Sequence, residues 1–410
     1  MELEEESLEN ISNDFERVGY GPLYNENSSL KGKRIKFLDT TLREGEQFPG
    51  CYFTNSQRIQ IAWMLDFIGV DAIEISPVIS SNHLEACKKI VKAGLNATIV
   101  AHGRALKDDI DKALECDAEF VALYHSASDT QLKYKLRVTR EKAIERTVSA
   151  LDYAKAHGLK ARITLEDASR ADPSYLVEFA KRLEEAHVDR ISLPDTVGIM
   201  TPKGMYNLVK TVRENVNVPL DVHCHNDLGL ALANSIAGLE AGAEQVHVSV
   251  NGLGERTGIA DLSQTALVLK LLYGADVRIR FNMLFELSRL LEEYTRIPVP
   301  KSMPIVGDNA YKHKAGTHVA AVLRNPKTYE LISPKTVGNK RKLVFGGLSG
   351  KNGAEFLLKM FGINVPSESE KLLSGLKSLG IDLFELELTD EMEEILKKEE
   401  FLSGMEGGKV

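Results

Sequence analysis

The sequence predicts an α/β protein: a (β/α)8 barrel followed by a mainly helical C-terminal extension. Three observations predict it. Eight short β-branched runs, each followed by an amphipathic stretch, fill about 240 residues, the length of one closed barrel. Each run turns from apolar to polar at its C-terminal end, where a barrel carries its active-site loops. No Gly-x-Gly-x-x-Gly turn follows the first run, which disfavours a doubly wound dinucleotide-binding sheet.

Residues 1–33 are acidic and polar and read as an arm outside the core. The strand runs are 34–39, 71–75, 97–101, 119–124, 160–165, 189–193, 219–223 and 245–250. Helical periodicity covers 57–68, 140–157, 173–187, 202–215 and 228–241. Strands separated by helices must pair in parallel, because only a crossover returns the chain in the same direction. The barrel therefore spans 34–277, and the rhythm stops at 278. In the extension, 278–410, an apolar helix over 281–294 leads to a proline-punctuated stretch, 297–304. A Lys-, His- and Gly-rich segment (308–348), a helix over 352–361 and small acidic helices with a Gly-rich tail complete it.

A chain of 410 residues with 43% hydrophobic and 27% charged residues has ample material for a large core. Its net charge of -8 disfavours nucleic acid and anionic membrane as partners. No apolar run is long enough to span a bilayer. The acidic start, Met1 to Glu6, lacks the basic character of a targeting peptide. Cys51, Cys87, Cys116 and Cys224 have no paired spacing, which fits a reducing cytoplasm and offers no thiolate metal cage.

The polar strand ends carry Arg43/Glu44, Glu74/Ser76, His102/Arg104, His125/Ser126, Glu166/Asp167, Asp195/Thr196, His223/His225 and Asn251/Glu255. Within Val222-His223-Cys224-His225-Asn226-Asp227, the two imidazoles share one face of an extended strand. Paired neutral imidazoles are divalent-metal ligands or, equally, hydrogen-bonding groups at a strand end. Glu44 offers an anionic third ligand and Asn251 an amide oxygen; Mg, Mn and Zn all suit such an open set. In Arg162-Ile163-Thr164-Leu165-Glu166 the polar residues alternate, so Arg162, Thr164 and Glu166 share a face. An inward Arg162 needs a partner: a substrate carboxylate, or an internal pair with Glu166 or Glu74.

Asp39 to Gln47, His223 to Asp227, Gly252 to Arg256 and His313 to His318 together resemble the 2-isopropylmalate, homocitrate and citramalate synthase family. These are metal-dependent Claisen-condensing enzymes on a TIM barrel, and the resemblance covers about 34 to 362. It is greatest to homocitrate synthases: Glu44, Phe48, Arg162 in Arg-x-Thr-x-Glu-Asp, and the run from His313 through Glu330 carry it. The resemblance implies condensation of acetyl-CoA with 2-oxoglutarate in a homodimer whose active sites share residues across subunits. It implies Glu44, His223 and His225 as metal ligands and Arg43 on the ketone oxygen. His102, Arg162, Thr164 and Thr196 would grip the oxoacid, with Gln47 and Glu74 shaping the pocket. His318, Glu166 and Tyr329 would move protons. Three departures accompany it. Glu74-Ile75-Ser76-Pro77 is one residue short, Asn251 resembles the isopropylmalate synthases, and the extension leaves no room for their long allosteric domain.

Overall fold

The computed structural model describes residues 28–360, 362–363, 366–389 and 391–392. Most of the acidic arm and the Gly-rich tail lie outside these residues. Eight parallel strands close into a barrel in sequence order: β1 (Lys36–Asp39), β2 (Ala72–Ile75), β3 (Thr98–Arg104), β4 (Phe120–Ser126), β5 (Lys160–Glu166), β6 (Arg190–Asp195), β7 (Leu220–Cys224) and β8 (Gln245–Val248). Closure comes from β8 pairing with β1, Phe37 lying opposite Val246. The principal crossover helices are α1 (Asn55–Ile68), α2 (Ser81–Val91), α3 (Lys107–Glu115), α4 (Arg140–Ala156), α5 (Pro173–Glu185), α6 (Pro202–Arg213), α7 (Ala231–Glu240) and α8 (Leu262–Leu271).

Local chemistry explains the boundaries. Thr54 and Gln57 form a reciprocal capping box at the start of α1, and left-handed Gly69 ends it. Asp172 and Thr201 accept from the first turns of α5 and α6, each with proline just inside the helix. The strands are β-branched because parallel strands are covered on both faces; Ile163, Leu165, Ile191 and Leu193 are fully buried. Leu38, Ala72, Val100 and Ala122, with Phe120 against them, form an apolar plug at β1–β4. Gly238 of α7 allows a close approach to β7: a Cβ there would sit 2.6 Å from Val222 Cγ1.

The chain divides into two compact units. The barrel unit holds Glu26–Phe281 and Glu286–Val299, including most of α9 (Leu284–Thr295). The second unit contains β9 (Lys312–His313), α10 (Gly316–Arg324), β10 (Lys342–Gly346), α11 (Lys351–Met360), α12 (Pro366–Leu379) and β11 (Asp382–Glu387). Helices dominate it, as expected, but 382–387 is a strand where an acidic helix was expected. It pairs antiparallel with β10. Alternation decides the matter: Phe384 and Leu386 pack on the cluster of Val319, Leu323, Leu343, Phe345 and Phe356. Glu385, between them, instead meets Lys312 Nζ at 2.7 Å.

Candidate active site

The polar strand ends surround a cavity of about 300 Å³ at the C-terminal mouth of the barrel. Of the residues singled out from sequence, Arg43, Glu44, Gln47, His102, Arg162, Thr164, Glu166, Thr196, His223 and His225 line it. Glu74, fully buried, lies beneath and bonds both arginines.

Glu44, His223 and His225 converge, each offering a ligand atom within 4.8 Å of the others. Three local features place them. The turn after β1 presents Glu44, whose Oε1 accepts from Glu255 N at 2.9 Å. Gly254 lets that loop lie against the carboxylate, since a Cβ there would be 3.1 Å from Glu44 Cγ. The strand alternation of β7 and its continuation puts His223 and His225 on one side with Nε2 atoms 3.3 Å apart. Burial holds both imidazoles neutral, lowering the pKa of each, with His225 and Arg43 adding to the effect on His223. Neither Nδ1 has a partner among the described residues. If both Nδ1 atoms carry the proton, two Nε2 lone pairs face each other across 3.3 Å, which a cation between them would relieve. The donor chemistry fits a divalent metal.

A chain of buried charges runs down from this cluster. Arg43 bonds Glu44 and, at 3.3 Å, Glu74; Glu74 also accepts from Arg162 Nη2 at 3.1 Å. His247 Nε2 stands 3.3 Å from both Arg162 Nη1 and Asp221 Oδ2, and Arg190 Nε donates to Asp221 Oδ1 at 2.8 Å. Burial alone would push the Glu74 carboxyl up, but Arg43 and Arg162 outweigh it and hold it well below the usual range. Burial, reinforced by Arg43, drops His102 to about 3, so its ring is neutral where it stacks on Tyr124 at 5.2 Å. Arg162 therefore points inward, and its partner is the internal carboxylate of Glu74.

Glu166 accepts from Ser126 Oγ at 2.9 Å and from Lys135. Thr196 Oγ1 accepts from Asp167 N at 2.9 Å. A smaller apolar pocket of about 160 Å³ shares Tyr124 with the cavity and is flanked by Arg104, Lys135 and Arg146.

Besides Glu74, three expected participants are not among the cavity residues. Asn251 adopts a left-handed conformation, φ 58°, and both its amide atoms engage Ser288: Oδ1 accepts from Oγ at 2.6 Å and Nδ2 donates to O at 3.1 Å. Its oxygen thus accepts one hydrogen bond from the Ser288 hydroxyl of α9. His318 and Tyr329 belong to the second unit, where their rings stack at 3.9 Å. Conversely, Tyr124, Ser192, Pro194, His247 and Arg256 line the cavity without having been singled out as site residues, and Glu255, named only as a polar strand end, lines it too. For Ser192 and His247 the signal was available: both sit on the inward period-two face of their strands, below the strand ends.

Fold and site together define a (β/α)8-barrel protein with a carboxylate–imidazole cluster and paired arginines at its strand ends. The chain belongs to the HMGL-like family, whose model matches residues 34–291. A second model, homocitrate synthase post-HMGL domain-like, matches 305–382. A probable 2-isopropylmalate synthase of Methanopyrus kandleri is 45% identical over 349 residues, 85% of this chain and 70% of that one. Homocitrate synthase AksA of the same organism is 44% identical over 344 residues, 83% and 87%. Among solved structures, the HMG-CoA lyase of Bacillus subtilis superposes with a TM-score of 0.61 at 19% identity, over 67% of this chain and 97% of that one. At that identity the likeness is one of fold. No described helix is long and apolar enough to cross a membrane.

Proposed function

We propose that this protein condenses acetyl-CoA with 2-oxoglutarate, giving homocitrate and CoA in amino-acid biosynthesis in the cytoplasm. The observation that carries the reading is the inward, buried Arg162 beside Arg43. Two guanidiniums face two carboxylates, Glu44 and Glu74, so the empty floor is balanced. A divalent cation (Mg, Mn or Zn) on Glu44, His223 and His225 would leave two positive charges in surplus. A 2-oxo dicarboxylate neutralises both.

When bound, the cation supplies Lewis-acid polarisation of the ketone. Arg43 donates to the ketone oxygen as negative charge develops there. Burial works against its charge, but Glu74 and Glu44 outweigh burial and raise its pKa. His102, Arg162, Thr164 and Thr196 orient the oxoacid, and Gln47 closes its side of the cavity. His318 removes a methyl proton from acetyl-CoA, with Tyr329 and Glu166 completing the relay. The enolate carbon attacks the ketone carbon, and water then cleaves the thioester to release CoA. In this reading His318 reaches the barrel of a second copy, so the working unit is a homodimer. Arg146, on the wall of the smaller pocket, suits the phosphates of the thioester.

A second reading, a 2-oxo monocarboxylate such as 2-oxoisovalerate, is favoured by the Arg162–Glu74 pair, which satisfies Arg162 without a ligand. A panel of 2-oxoacids with acetyl-CoA and a thiol reagent decides. The expected result is kcat/KM for 2-oxoglutarate at least about tenfold above 2-oxoisovalerate and pyruvate. Faster turnover of either monocarboxylate would overturn the substrate assignment.

A further inference from the structure

Three polar atoms on the cavity floor are buried and without partners among the described residues: Arg162 Nε, Thr164 Oγ1 and Ser192 Oγ. All three residues line the same cavity. Their placement follows from the sheet. Thr164 of β5 and Ser192 of β6 are register partners, so their side chains stand next to each other in one inward layer. Arg162 lies two residues earlier on the same face of β5. Its Nη1 faces His247 and its Nη2 faces Glu74, which leaves Nε–H pointing to no acceptor.

Buried donors without acceptors are costly and uncommon, so three on one floor call for a group that accepts from all of them. Arg162 Nε can only donate, and both hydroxyls can donate. The complement is an anionic oxygen pair. An alkyl branch would leave all three unmet.

We propose that Ser192 is a specificity-determining residue: with Thr164 and Arg162 it forms a three-donor subsite for the distal carboxylate of a 2-oxo dicarboxylic acid. The proposal rests on the oxoacid reading above and deepens it by naming what reads the far end of the substrate. Glu74 enters as the anchor of the Arg162 fork, holding Nη2 at 3.1 Å and leaving Nε uncommitted.

The test uses the full-length protein with Mn as the added metal. Ser192→Ala should lower kcat/KM for 2-oxoglutarate by about tenfold or more, the worth of one hydrogen bond to a charged group. The fall should appear mainly in KM, with a matching loss of 2-oxoglutarate affinity by calorimetry. The ratio of kcat/KM for 2-oxoglutarate over 2-oxobutyrate should drop by a similar factor, and Ser192→Thr, which keeps the hydroxyl, should recover most of it. Because Ser192→Ala removes an unmet hydroxyl, its melting temperature should not fall. An unchanged substrate ratio, or equal losses on both oxoacids with a lowered melting temperature, would overturn the proposal and leave Ser192 a packing residue. Failure of the unsubstituted protein to bind or turn over 2-oxoglutarate would instead overturn the substrate reading and the subsite with it.

Discussion

Glu74 is the hinge of the buried charge chain, because one fully enclosed carboxylate serves two guanidiniums. Breaking a buried pair by removing one partner leaves an uncompensated charge and costs about 3–5 kcal/mol. Glu74→Gln should lower unfolding free energy in urea by that order and raise KM for the oxoacid, since both arginines lose their anchor. Unchanged stability would mean that Arg43 and Arg162 have other sufficient partners. Much of this was legible in sequence. Arg43, Glu44, His223 and His225 stand at strand ends where apolar runs stop, and period-two alternation puts the imidazoles together. The Asn251–Ser288 contact was not legible: it joins a residue with a left-handed φ to a partner 37 residues on. His247 escaped notice because it sits inside β8, where a polar residue in a buried strand marks the floor rather than the mouth.

At the level of elements, the position of β7 depends on how closely α7 presses against it. Gly238 contributes no side chain, and Val222 occupies the space a Cβ would need. Gly238→Ala should therefore push β7 away from α7 and toward the cavity, with His223 next to Val222 in sequence. Overpacking of this kind costs about 1–3 kcal/mol. Metal-stimulated turnover should fall along with stability, and Val222→Ala in the same chain should restore part of both. Full activity in the single variant would show that β7 tolerates the shift. The alternation of eight strands and their helices was readable because each element carries a strong local period. In the second unit the periods are weaker. Asp382 to Glu387 has only Phe384 and Leu386 to mark a buried face, and their partner cluster includes residues from four other segments of that unit.

Across the whole molecule, stability has a pH dependence set partly by Asp39. Its carboxyl is enclosed at the end of β1, and burial raises its pKa from 3.8 to about 7 although Thr41 N–H bonds it. Over pH 4 to 7 the folded protein keeps a proton that the unfolded chain has lost, so unfolding free energy falls as pH rises through that window. The contribution reaches about 4 kcal/mol by the neutral end. Asp39→Asn should flatten the decline in urea-unfolding free energy between pH 5 and 7; an unaltered slope would assign it to other groups. Glu74 and Asp221 act in the opposite direction, their lowered pKa values giving stability that is lost as pH falls through the acid range.

Among the described residues, the apolar plug of Leu38, Ala72, Val100 and Ala122 and the ionic chain ending at Arg190 fill the barrel interior beneath the strand-end cavity. A ligand on that floor lies deeper than one held at the mouth. Under the proposed function, the smaller acid would enter ahead of the bulkier thioester, and a dead-end inhibition pattern showing random addition would overturn that order.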